Sequence, residues 1–296
     1  MEQEQVVADF SVSDNWIVLS PLEQSIKKKI EAVGTPLKDW KDIKIYRGVL
    51  TGCNEAFIID SAKREEILFN CQSDEERERT AELIRPILRG RDIKRYSYEW
   101  AGLYLIATFP SRHYDIDDYP AVRDYLLSFG IERLEQTGET HIVNGNSIKS
   151  RKKTNNKWFE TQDSISYWED FSKPKIVYQE LSQGSSFCLD ENAEYVVANT
   201  GYLLTGKHLK FLLALLNSKL IEFSFRQFYS ITLGTEGLRW LAQYVENLPI
   251  VKPTEQSRNR IITLLDEKNL QEIEWFVYTL YGLTEDEIAF ISSSAK

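Results

Sequence analysis

The stretch Ile45-Tyr-Arg-Gly-Val-Leu-Thr-Gly-Cys-Asn-Glu-Ala-Phe-Ile-Ile-Asp60 decides how this chain is read. Two apolar runs rich in β-branched residues, Ile45 to Leu50 and Ala56 to Ile59, flank Thr51-Gly52-Cys53-Asn54. Gly52 and Asn54 tolerate the positive φ that a tight connection needs. The pattern predicts a hairpin with a polar tip. Arg47 stands on its first arm while Thr51 and Asn54 crown the turn, so one support presents a cation and two hydrogen-bonding side chains. These three are candidates for contacts to base edges or phosphates.

With 296 residues and 42% hydrophobic content, the chain can bury a substantial core in one large domain or two smaller ones. Its formal charge of -9 argues against a generic polyanion binder, because non-specific nucleic-acid affinity comes from lysines and arginines that neutralise phosphates. Any such contact must rest on a local basic face. The three cysteines, Cys53, Cys71 and Cys188, form no Cys-x-x-Cys pair, so neither a disulfide framework nor a zinc knuckle is expected. The acidic start, Met1-Glu2-Gln3-Glu4-Gln5, has no apolar core of a secretion signal, and no run reaches the roughly 20 apolar residues of a membrane span. A soluble, cytoplasmic protein with no membrane partner is expected.

Along the chain, an apolar run from Asn15 to Leu19 leads to Ser20-Pro21, where Ser20 caps a helix with Pro21 in its first turn and Glu23 as the reciprocal cap. That helix carries Lys27-Lys28-Lys29 and ends at Gly34. Ser73 and Glu76 predict a second capping box, before a helix that ends or kinks at Pro86. Leu103 to Phe109 is a nearly continuous apolar run and predicts a central strand. Asp118-Tyr119-Pro120 opens an amphipathic helix. Ile176 to Leu181, Phe187 to Leu189 and Tyr195 to Asn199 predict strands, and Lys207 to about Phe225 predicts one long helix with Leu209, Leu212, Leu213, Leu216 and Leu220 as its buried stripe. Tyr229 to Gly237 reads as an exposed loop. From Pro253 the chain is helical and acidic, with Thr284 and Glu287 as a third capping box.

Positive charge is concentrated in two segments. Arg85-Pro-Ile-Leu-Arg-Gly-Arg-Asp-Ile-Lys-Arg-Tyr96 holds five basic residues and one acid. Gly90 allows close backbone approach there, and Arg89 and Arg91 would share one face of an extended strand. Lys149-Ser-Arg-Lys-Lys-Thr-Asn-Asn-Lys-Trp-Phe159 is basic without an acid and begins within the polar stretch from Thr137 to Asn156, read as a mobile loop. Arg89, Arg91, Lys94, Arg95, Lys149, Arg151, Lys152 and Lys153 are candidates for phosphate contact, and Asn155, Lys157 and Trp158 for either phosphate or base contact. On the strand after Pro174, Lys175, Gln179 and Glu180 are placed to reach a ligand.

Tyr46 to Phe57, Arg85 to Tyr96, Phe171 to Glu180, Leu215 to Leu220 and Tyr278 to Ile288 together resemble the target-recognition domain of type IIG restriction-modification enzymes and of TaqI-like adenine-N6 DNA methyltransferases. The resemblance implies a mixed α+β fold, a β-sheet-centred DNA-recognition domain over residues 1–252 with a helical extension over 253–296 packed on it. It implies double-stranded DNA as partner, read mainly in the major groove. It also implies adenine-N6 methyltransferase and endonuclease domains in the same full-length polypeptide or complex. It places Tyr229 to Gly237 near the recognition surface. The acidic tail is expected on the face away from DNA, because acidic helices are poor partners for phosphate.

The Asn-Pro-Pro-Tyr motif and glycine-rich S-adenosylmethionine loop of such methyltransferases do not occur in the sequence, nor does a convincing Asp…Glu-x-Lys set for Mg²⁺. His113, His141 and His208 stand apart in sequence, so no metal site or catalytic residue is assigned. S-adenosylmethionine and Mg²⁺ are expected only of catalytic domains outside this chain, which by itself is expected to be catalytically silent. The alternative reading is a protein-interaction module that docks a partner through its acidic helical tail.

Overall fold

The computed structural model describes residues 19–230 and 237–294. Most of the apolar run from Asn15, and the loop around Gly234, lie outside the described residues. The chain is mixed α+β and divides into two compact units, Lys44–Glu180 with Ser186–Thr205, and the chain to Ile43 with Leu181–Ser185 and everything from Gly206. The boundary expected at 252 therefore falls inside the second of these units.

The first unit is built on strands β1 Lys44–Arg47, β2 Ile58–Asp60, β3 Ile84–Leu88, β4 Leu103–Ile106, β5 Thr140–Val143, β6 Asn146–Lys149, β7 Lys175–Gln179, β8 Phe187–Asp190, β9 Val196–Val197 and β10 Gly201–Thr205. One antiparallel sheet runs β8-β7-β10-β1, and a second runs β9-β3-β4-β2 with only β9 and β3 parallel. The chain after β1 stitches them together: the Val49 amide donates to the Val197 carbonyl at 2.7 Å, and the Asn199 amide donates to the Val49 carbonyl at 3.0 Å. A Cβ at Gly48 would lie 2.1 Å from the Ala198 carbonyl oxygen, so only glycine permits this approach.

The hairpin expected at Ile45 to Asp60 does not form. Arg47 pairs with Tyr202 and Ile45 with Leu204 in one sheet, whereas Ile58 pairs with Leu105 in the other. Between them Asn54–Phe57 closes a single helical turn that sends Ala56 and Phe57 into the core. The Thr51 hydroxyl sets that turn by donating to Asn54 Oδ1 at 2.7 Å and accepting from the Cys53 amide at 3.2 Å. A short apolar run with turn residues before it suits either a strand or a buried helical turn, and tertiary pairing decided between them.

Other elements follow their local chemistry more closely. Ser73 caps helix Asp74–Leu83, and the buried Glu76 carboxylate accepts from the Gln72 amide at 2.7 Å and the Ala121 amide at 3.0 Å, tying that helix to Pro120–Leu127. Pro86 neither ends nor kinks a helix; it lies within β3, opposite Tyr104. The Thr137 to Asn156 stretch is not structureless, because β5 and β6 pair around Asn144 and Gly145, both at positive φ. Gly90–Asp92 forms a 3-10 turn where an extended strand was expected.

The second unit is mainly helical. Helix Pro21–Val33 has the predicted Ser20 and Glu23 capping box. The expected long helix is two, Leu209–Leu216 and Lys219–Ser224, because Ser218 bonds back to the Leu215 carbonyl and caps the next segment by accepting from the Ile221 amide. Helices Glu255–Asp266, Leu270–Leu280 and Glu285–Ser294 complete the unit. The Glu287 carboxylate, 2% exposed, accepts from Ser25 at 2.7 Å, Lys29 at 2.8 Å and the Thr284 amide at 2.8 Å, joining the first helix to the last. No helix among the described residues is long and apolar enough to cross a membrane.

Candidate nucleic-acid interface

Three of the predicted contact residues are part of the core. Arg151 is 4% exposed, and its guanidinium donates to four carbonyls: Leu134 at 2.7 Å, Thr51 at 2.8 Å, Glu160 at 2.7 Å and Trp158 at 2.6 Å. It also lies over the Phe57 ring at 5.0 Å. Burial pushes its pKa down to about 10, which leaves it charged at neutral pH, and charge-assisted bonds of about 1.5–3 kcal/mol each offset the desolvation. Arg151 is therefore a clamp on three loops and not a phosphate ligand. Lys175 is fully buried and meets Asp190 at 2.5 Å across β7 and β8, with the Phe171 carbonyl at 2.8 Å. Thr51, also fully buried, is spent on its own turn.

Arg89 is folded back on Asp92. Its backbone amide, Nε and Nη2 donate to that carboxylate at 2.9, 2.9 and 2.7 Å, and despite burial these bonds hold the Asp92 carboxyl below its ordinary pKa. The adjacent Gly90 amide donates to the Thr200 hydroxyl at 2.9 Å, and a Cβ at Gly90 would sit 2.4 Å from the Thr200 carbonyl oxygen. Asp92 thus shapes a turn from which Arg91, Lys94 and Arg95 emerge exposed. Lys94 returns one bond to the Arg91 carbonyl at 2.9 Å, and Arg95 lies against the Tyr96 ring at 5.3 Å.

Arg47, with its side chain 51% exposed, donates to the Asn199 carbonyl at 3.2 Å and pairs with Glu180 at 3.0 Å. The Glu180 amide in turn donates to the Thr200 carbonyl at 3.0 Å. Asn199 and Thr200 therefore connect Arg47 to the turn that carries Arg91. On the other side of Arg47, the Leu50 carbonyl accepts from the Gln162 amide at 3.1 Å and the Asp163 amide at 3.2 Å. Past the Arg151 clamp, Lys152, Lys153, Asn155 and Lys157 are exposed, as is Lys149 at the end of β6 and Asn54 beside the Thr51 turn. Trp158 is half-buried against Phe159, and Gln179 is held by its bond to the Ile93 carbonyl at 2.5 Å.

Sequence reading passed over the segment that closes this face. Thr154, Asn156, Gln162, Asp163, Ser164 and Tyr167 line an open cleft of about 440 Å³. Tyr167 stacks on Tyr46 with ring centroids 4.3 Å apart and donates to the Arg47 carbonyl at 2.6 Å. Burial raises the Asp163 pKa, opposed by the Leu50 amide and by the charges of Arg47 and Lys152. Arg112, exposed over the Trp168 ring at 3.9 Å, is a further cation that the sequence reading missed. The polar run Thr161-Gln-Asp-Ser164 was the available signal, and it carries too little charge to stand out.

Residues 85–250, more than half of the chain, match the TaqI-like C-terminal specificity domain, and the chain belongs to that family. It is 27% identical over 294 residues to the type II methyltransferase M.BstVI of Geobacillus stearothermophilus, covering 97% of this chain and 48% of that protein. The chain thus spans about half the length of this curated relative. Its fold is similar to that of the type IIL restriction-modification enzyme MmeI, whose structure is in complex with DNA, with a TM-score of 0.54 at 13% identity over 85% of this chain and 35% of MmeI. It is also similar to the type IIG restriction endonuclease BpuSI, with a TM-score of 0.53 at 12% identity over 93% of this chain and 32% of that one.

Proposed function

We propose that this chain reads a short double-stranded DNA site for a type II restriction-modification enzyme of the IIG kind. Adenine-N6 methyltransferase and endonuclease domains outside this chain, in the same polypeptide or complex, would act on the site. The observation that carries the reading is the placement of exposed cations on clamped loops of an otherwise acidic protein. Arg47 and Lys152 both act on the half-buried Asp163, and Arg91 and Lys94 emerge from the turn that Thr200 anchors. Cations of this kind grip phosphates, and polar side chains between them meet base edges.

Membership of the specificity-domain family supports this assignment, as do the likenesses to the type II methyltransferase M.BstVI and to the restriction enzymes MmeI and BpuSI. Asn54, Asn155, Lys157 and Gln179 are the candidates nearest in kind to base readers; Lys149, Lys152, Lys153, Arg91, Lys94 and Arg95 are candidates for the backbone. S-adenosylmethionine and Mg²⁺ would serve the catalytic domains, while this chain orients the duplex so that the target adenine reaches its pocket. A gel-shift comparison at low salt tests the assignment. Duplex DNA should be retained in preference to single-stranded DNA of the same composition, and failure to retain duplex would refute it.

A further inference from the structure

The cleft of the sheet-based unit has a backbone that is already committed. The Thr161 hydroxyl donates to the Asp163 carbonyl at 3.1 Å, the Ser111 amide to the Ser164 carbonyl at 3.1 Å, and the Ser111 hydroxyl to the Ile165 carbonyl at 2.7 Å. Ile165, buried and β-branched, is held at φ 50°, a conformation that persists only where its surroundings over-determine it. Such strain is concentrated at sites that need a fixed geometry. The strip from Gln162 to Tyr167 is therefore rigid before any ligand arrives, and its free chemistry lies in its side chains.

Asp163 is the anomaly among them. It is a half-buried carboxylate lining the cleft; the Leu50 carbonyl holds its amide at 3.2 Å and Tyr167 bonds the Arg47 carbonyl at 2.6 Å, which keeps it in the field of the exposed cations Arg47 and Lys152. A carboxylate facing the phosphodiester backbone would oppose those cations. Facing base edges instead, it meets the amino groups of cytosine N4 or adenine N6 as hydrogen-bond donors. The oxygen and N7 acceptors of guanine, and O4 of thymine, would be repelled.

We propose that Asp163 is a specificity-determining residue that accepts a hydrogen bond from the exocyclic amine of a cytosine or adenine in the major groove, between backbone contacts made by Arg47 and Lys152. This rests on the DNA-reading role proposed above. Neighbouring Ser164, exposed and able to donate or accept, is placed to assist without imposing a preference.

Selection from a randomised duplex pool, using the 296-residue chain and its Asp163→Asn and Asp163→Ala variants, tests the inference. The unaltered chain should enrich an amino base at one position by about ten-fold over guanine or thymine, and the enriched base shows which amine is read. Asp163→Asn, whose amide both donates and accepts, should admit guanine or thymine at that position alone. Asp163→Ala should lose discrimination there without gaining a new preference. Affinity for non-specific duplex should stay within about two-fold in both variants, and loss of that affinity along with selectivity would overturn a reading role in favour of a structural one. A selected site unchanged in both variants would overturn the inference and leave DNA reading intact. Retention of no duplex by the unaltered chain would overturn both.

Discussion

Arg151 Nη1 lies 2.8 Å from the carbonyl oxygen of Thr51, across 100 residues of sequence. The same guanidinium holds Leu134, Trp158 and Glu160, so one side chain fixes the loops on which Asn54, Lys152 and the Gln162 to Tyr167 strip are mounted. Lysine at 151 supplies three donors without the planar fork and cannot span four carbonyls in those directions. Arg151→Lys should therefore cost about 3 kcal/mol or more through stranded buried acceptors, measured by urea unfolding. Retention of full stability would show that the clamp is dispensable.

Lys175 and Asp190 form a fully buried pair in the sheet-based unit, with burial pulling the Lys175 pKa down against the attraction of Asp190. Asp190 also accepts from the Glu194 and Tyr195 amides at 3.1 and 3.0 Å. Removal of the cation leaves the carboxylate buried and uncompensated. Lys175→Met should destabilise by about 3–5 kcal/mol, and a double-mutant cycle with Asp190→Asn should show strong coupling. DNA affinity per folded molecule should not change, since no part of Lys175 reaches the surface.

In the helical unit, Glu287 gives a pH signature. Burial disfavours its charge, but the bonds from Lys29, Ser25 and Thr284 win and hold its carboxyl below the ordinary carboxylate range. A depressed folded-state pKa contributes stability that is fully present above the unfolded value near about 4.3 and declines as pH falls through the folded value. Thermal melts between neutral and acidic pH should show this loss in the unaltered chain. Glu287→Gln should be less stable at neutral pH and flatter in that acid window; an identical pH profile would contradict the assignment.

What was legible in the sequence was what short-range chemistry controls. Ser20 and Thr284 close the capping boxes read for them; Ser73 caps its helix, but Glu76 turns to the Gln72 and Ala121 amides and leaves that box open; Leu103 to Ile106 and Lys175 to Gln179 are strands, and the mixed α+β class holds. Long-range pairing was not legible. Nothing local announces that Ile45 and Ile58 enter different sheets, or that Arg151, within a cationic run, faces inward while Lys152 and Lys153 face solvent. The Asn144-Gly145 turn has a local signal in the sequence, but the polarity around it suits an open loop equally well.

The central claim is that the exposed cations beyond the clamp grip DNA phosphates. Its most direct measurement is the salt dependence of duplex binding by the 296-residue chain and by the Lys152→Ala/Lys153→Ala double variant, followed by fluorescence anisotropy. Each lost phosphate contact should reduce the log–log slope by about 0.9, so the variant should lose roughly 1.8 in slope and bind more weakly to every sequence alike. Equal slopes for the two proteins, or no binding by either at low ionic strength, would contradict the account.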